Sequence, residues 1–212
     1  YIQIAIVLSG VSVFALLYLF QPLLPELGRA FNLTPAISSL SVSAGTAGMA
    51  VGLFAFAFWA DVLPRKQLMT ASMFGAALLT LITAVAPNFG TIVVIMFLKG
   101  MAISGISAVA LAYLSEEVAL GSLGIVVSLY LSGNTFGGMW GRVFSDLAVS
   151  LVGWRWAMVL IGVIGFLLAS LFKYLLPASN HFKSKQISTS YKIRQMRIFL
   201  RDRVLLCMFC IA

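Results

Sequence analysis

The chain has 212 residues, 61% of them hydrophobic and only 9% charged, with a formal net charge of +8. A soluble domain carries about 25% charged residues, so this composition excludes a large water-soluble helical protein. Nucleic acid as the partner is excluded by where the charge sits: seven of the fourteen Lys and Arg fall between Lys183 and Arg203, after the last full apolar run.

Spanning a bilayer takes about 20 apolar residues in a helix, and lipid obliges the backbone to satisfy its own hydrogen bonds. Tyr1 to Pro25, Ala30 to Ala60, Gln67 to Leu98 and Val118 to Trp140 are all uncharged. In chain order the pattern predicts spans over residues 2–24, 36–59, 67–86, 91–114, 122–147 and 156–175, with a seventh starting at Val204 and cut off at Ala212. The first run has neither a basic start nor a small-residue cleavage site, so it reads as a span and not a signal peptide. The expected domains are a six-helix bundle over 1–176, a basic central loop over 177–203 and the start of a truncated helix over 204–212. The loop begins as a flexible Ser-, Asn- and Lys-rich link. Its second part, Tyr191 to Arg203, fits either a short helix on an anionic leaflet or a solvated linker. Cys207 and Cys210 lie in the last apolar run and read as ordinary membrane-helix residues.

Orientation follows from the basic residues. With the N-terminus inside, Arg65, Lys66, Lys173 and the seven of 183–203 are cytoplasmic, and only Arg29 and Arg155 are outside. Cytoplasmic loops carry the excess of Lys and Arg, so the N-terminus is expected in the cytoplasm.

A shift of 89 residues lays Ser43 to Gly52 over Ser132 to Gly141 and matches Ser, Thr and two Gly. The same shift carries spans one to three onto spans four to six. A three-span unit that repeats must insert with opposite orientation, and inverted repeats mark transporter folds. The small residues also recur: Gly48 with Gly52, and Gly133, Gly137 and Gly141. Glycines four apart share a helical face and admit a second backbone. Their presence in both repeats suits helices that rock against each other.

Charges inside a span are functional candidates by default. Lys99 is the clearest, well inside span four, and is expected to face a cavity or a carboxylate. Gln21 and Asn134 are further polar contacts for a solute, from spans one and five. Arg142 and Asp146 are four apart and form a possible ion pair. Spans three and six are uncharged between Gln67 and Pro87 and between Trp156 and Phe172, and are the expected lipid-facing pair. There is one His, no acid pair at useful spacing and no phosphate-binding loop. The sequence therefore points to no enzyme, catalytic set, metal or cofactor.

Ala57-Phe-Trp-Ala-Asp61-Val-Leu-Pro-Arg65-Lys66 resembles the major facilitator signature G-x-L-A-D-x-x-G-R-K, with Ala57 and Pro64 in place of both glycines. Asp61, Arg65 and Lys66 are the candidate conformational gate. Tyr18-Leu-Phe-Gln-Pro-Leu-Leu-Pro-Glu26 resembles the Gln-Pro-x-x-Pro end of the family's first helix, and Gly153-Trp-Arg-Trp156 its Gly-Trp-Arg entry to helix six. Gly133 to Gly141 loosely resembles the antiporter motif of helix five without its Gly-Pro step. Tyr113 to Glu117 and Ser132 to Arg142 look closest to YnfM-type bacterial inner-membrane transporters. Where the family has Arg in helix four, this chain has Met96, with Lys99 one turn on.

The resemblance implies the N-terminal half of a major facilitator fold, six helices in two inverted three-helix repeats, in a bacterial inner membrane. It implies a secondary carrier of small organic solutes working by alternating access, here a proton-coupled drug or metabolite exporter. Its partners would be a small-molecule substrate, protons, the bilayer and a second six-helix half. The alternatives are a sugar or metabolite uptake carrier, or a non-transporting six-helix protein.

Overall fold

The computed structural model describes residues 2–59 and 63–177. Asp61, residues 178–203 of the central loop, the Cys207 and Cys210 pair and the expected seventh helix lie outside the described residues.

The described residues form seven helices: α1 (Ile2–Tyr18), α2 (Leu24–Phe31), α3 (Pro35–Ser38), α4 (Leu40–Trp59), α5 (Arg65–Ala84), α6 (Phe89–Glu117) and α7 (Leu120–Leu175). The first expected span ends as regular helix at Tyr18. Residues 19–23 form tight turns in which Gln21 N–H donates to the Tyr18 carbonyl at 3.1 Å and Leu23 N–H to that of Phe20 at 3.2 Å. Pro22, which has no N–H to give, sits in the middle of this break. α2 then ends at Asn32, whose φ of 52° places it in the left-handed region, and Thr34 caps α3 by accepting from Ile37 N–H at 3.4 Å. Asn88 caps α6, its Oδ1 accepting from Thr91 N–H at 2.8 Å.

α6 has 29 residues and α7 has 56. At 1.5 Å per residue α7 would measure about 84 Å, more than twice a hydrocarbon layer of about 30 Å. It is two spans. Gly153, with φ 78° and ψ 164°, is the single non-helical residue inside it, and divides it into a first limb, 120–152, and a second, 154–175. The connection expected over 148–155 is therefore helical except at one glycine. Ala148 to Val152 are apolar and continue the helix, and only a residue without a Cβ enters that backbone region readily.

α1 packs along the first limb of α7, α4 along α6, and α5 along both α6 and α7. The α5 contact is to the second limb, where the Phe74 and Phe166 rings lie 5.5 Å apart. In span numbers the pairs are one with five, two with four and three with six, and three also packs on four. The 89-residue shift exchanges the first two pairs and returns the third to itself, as a two-fold relation between inverted three-helix repeats demands. The fold is the expected all-α six-span half, and it is packed between the repeats more than within them. At the end of the bundle where α5 stops, Arg155 donates to the Ala84 carbonyl at 3.1 Å and to that of Ala86 at 3.4 Å. It thereby satisfies carbonyls left open at the end of α5. Trp154 beside it packs on Phe31, ring centroids 5.9 Å apart.

Candidate functional site

The small residues set how closely the helices approach. A Cβ on Gly52 would come within 2.8 Å of Met101 Cα, and one on Gly141 within 2.6 Å of Ala15 Cα. Gly48 lies against the Phe97 backbone, Gly137 against Val11, and Gly133 more loosely against Val7. With no hydrophobic driving force between helices in lipid, such contact is what dispersion attraction needs. The glycines expected at the packing faces are thus in the pairs one–five and two–four.

Between these pairs sits Lys99. It is completely buried. Its Nζ has no hydrogen-bond partner and lies 4.7 Å from the centroid of the Phe20 ring. Phe20 belongs to the turn that interrupts span one. Lys99 thus does not face an open path in this state: an aromatic ring from the broken segment covers it. A ring face attracts a cation but gives it no hydrogen bond, so the ammonium keeps its full donor capacity. Asn134 is also buried, and its side chain and that of Ser107 of α6 both meet the Tyr130 hydroxyl.

Arg142 takes a partner other than the one expected. Its Nε donates to Gln21 Oε1 at 2.7 Å, and its guanidinium stacks 4.4 Å from the centroid of Tyr18. No salt bridge to Asp146 forms among the described residues. The end of span one offers both an acceptor and a flat ring, and a planar guanidinium can use the two together. Tyr18, Phe20 and Gln21 therefore carry the two cations of spans four and five. Gln21 was expected to contact a solute and not Arg142, and the aromatic pair was not expected at all, since an aromatic in an apolar run reads as core.

At the basic end of the bundle, Arg65 is buried and paired with Glu116 through two hydrogen bonds, Nη2 to Oε1 at 3.0 Å and Nε to Oε2 at 3.3 Å. The pair ties the start of α5 to the end of α6. Glu116 was missed as its partner because 51 positions separate them in sequence. Lys66, the next residue, lines a groove with Lys173 of α7.

The chain matches the family model of the Major Facilitator Superfamily over residues 6–212. The chain belongs to the major facilitator superfamily. Among its relatives, the major-facilitator-type transporter YybF of Bacillus subtilis (strain 168) is 38% identical over 210 residues, covering 99% of this chain and 52% of YybF. The inner membrane transport protein YnfM of Escherichia coli (strain K12) is 36% identical over 208 residues, covering 98% of this chain and 50% of YnfM. The crystal structure of a D-xylose-proton symporter shares the fold, with a TM-score of 0.70 at 16% identity, over 97% of this chain and 54% of the symporter. This major facilitator chain spans about half the length of the curated relatives it matches. It is a membrane protein with a transporter fold, and the expected resemblance to YnfM-type proteins holds.

Proposed function

We propose that the complete protein is a secondary active carrier of small organic solutes that works by alternating access in a bacterial inner membrane. In this reading it exports the solute in exchange for protons, and Lys99, Gln21 and Asn134 contact the solute. The observation that carries the reading is the buried ammonium of Lys99, without a hydrogen-bond partner and capped by Phe20. A charge at such depth costs a few kcal/mol on insertion scales, which argues for a use. An anionic group on the solute would supply the missing acceptor. Phe20 sits on a turn and not in a regular helix, so a modest shift of residues 19–23 would uncover the ammonium. Alternation between a covered and an uncovered Lys99 is the cycle proposed. Export and proton exchange rest on the likeness to drug and metabolite exporters.

The test uses the full-length protein in everted membrane vesicles, with an anionic and a neutral solute of similar size and an imposed proton gradient. Lys99→Met should slow transport of the anion at least about tenfold, the loss expected when a charged hydrogen bond worth about 1.5–3 kcal/mol is removed. Lys99→Arg should keep a substantial part of it. Transport by Lys99→Met equal to the parent would refute the role of Lys99. Gradient-driven uptake in right-side-out vesicles, with none in everted ones, would refute export.

A further inference from the structure

Lys66 and Lys173 line a groove of about 440 Å³ between α5 and the second limb of α7, together with Phe74, Ser170 and Tyr174. α5 and this limb are spans three and six, whose outer faces carry exposed Leu78, Ile82, Val163 and Leu167. Lys66 opens α5 and Lys173 closes α7, so the groove lies at the level where the hydrocarbon meets water. Tyr174, almost fully exposed, is the kind of side chain that anchors at that level.

We propose that this groove binds the headgroup of an anionic phospholipid. The inference goes beyond transport and does not rest on Lys99. Two features select a lipid over a dissolved anion. The lysines sit at the ends of the two spans that carry no other charge along their length, where a phosphate arrives attached to acyl chains. And the groove continues as an apolar stripe: Leu167, Ile164 and Leu160 follow Ser170 at helical spacing, all exposed, into a second groove lined by Val159, Val163 and Trp156. An acyl chain laid along this stripe covers it while the phosphate sits between the ammonium groups. Basic pockets between helices at the cytoplasmic interface suit such headgroups. A bound lipid would bridge spans three and six at the end where Arg65 and Glu116 bridge α5 and α6.

The experiment is native mass spectrometry of the full chain in neutral detergent, titrated with phosphatidylglycerol or phosphatidylcholine. One lysine near an anionic headgroup changes affinity by about fivefold. Lys173→Gln should therefore weaken phosphatidylglycerol about fivefold, and Lys66→Gln with Lys173→Gln about 25-fold, with phosphatidylcholine unchanged. Replacing both by Arg should restore binding. If the double variant does not fold, Lys173→Gln alone decides, because Lys173 is exposed in the last turn. Equal phosphatidylglycerol retention by parent and Lys173→Gln overturns the proposal. So does displacement of the lipid by an equimolar amount of glycerol phosphate, which would make the groove a site for soluble anions.

Discussion

Gly141→Ala adds one carbon where α1 leaves no room for it. The new Cβ would stand 2.6 Å from Ala15 Cα and 2.7 Å from its carbonyl oxygen. Carbon atoms prefer about 3.5–4.0 Å, so the helices must part by close to an ångström or the backbone must bend. Overpacking of this kind costs about 1–3 kcal/mol. Against that stands the helix preference of Ala over Gly, about 1 kcal/mol in its favour. The obstructing atoms are backbone and cannot rotate away, so the steric term wins and a net loss of up to about 2 kcal/mol is expected. Gly124→Ala is the control: it makes the same chemical change in the same helix, with nothing within 4 Å of the added carbon. It should be neutral or stabilise by up to about 1 kcal/mol. Unfolding of both variants in detergent, followed by helical circular dichroism, measures the difference. If Gly141→Ala is as stable as Gly124→Ala, the close approach of spans one and five is not what holds this half together. Gly52→Ala should behave like Gly141→Ala, because the repeat places it against Met101 in the same way.

The Arg65 and Glu116 pair should show a coupling of about 1–2 kcal/mol in a double-mutant cycle of Arg65→Gln and Glu116→Gln, read as unfolding stability. The lower part of the charged-hydrogen-bond range applies because the Glu116 side chain is 30% exposed and partly screened; additive losses would mean that the pair contributes nothing. For orientation, cysteines introduced at Asn88 and at Ser184, with Cys207 and Cys210 replaced, should differ toward an impermeant thiol reagent on intact cells. Labelling is expected at position 88, and labelling at 184 alone would invert the proposed topology.

What the sequence revealed of this fold follows from how local each cause is. The glycine spacing was legible because a close helix contact leaves a residue-type signature that no later packing can erase. Lys99 was legible because an ammonium in an apolar run has no ordinary explanation. The end of α1 was misread: Pro22 and Pro25 signal a break, but apolar residues on both sides made the run look continuous to residue 24. The helical link through 148–155 was hidden for the opposite reason, since a separate connection was expected where one glycine suffices. The partners of Arg65 and Arg142 were out of reach. Each charge had several candidates at similar sequence cost, and only the packing of α5 on α6 and of α1 on α7 brings Glu116 and Gln21 within hydrogen-bonding distance. Phe20 illustrates the same limit, because its role depends on a cation 79 positions away at Lys99.

The pairing of one repeat with the other also constrains how this protein can be made. Val11 meets Gly137, which emerges from the ribosome 126 positions later. At about 5–20 residues per second, span one waits roughly 6–25 s in the membrane before its neighbour exists. Its small-residue face must rest meanwhile against lipid or the insertion machinery. Neither three-helix repeat can mature alone, because the best contacts of each are held by the other. A nascent chain stalled before residue 120 has α4 seated on α6 and α1 still without its main partner. Quality control would therefore find its signal in α1.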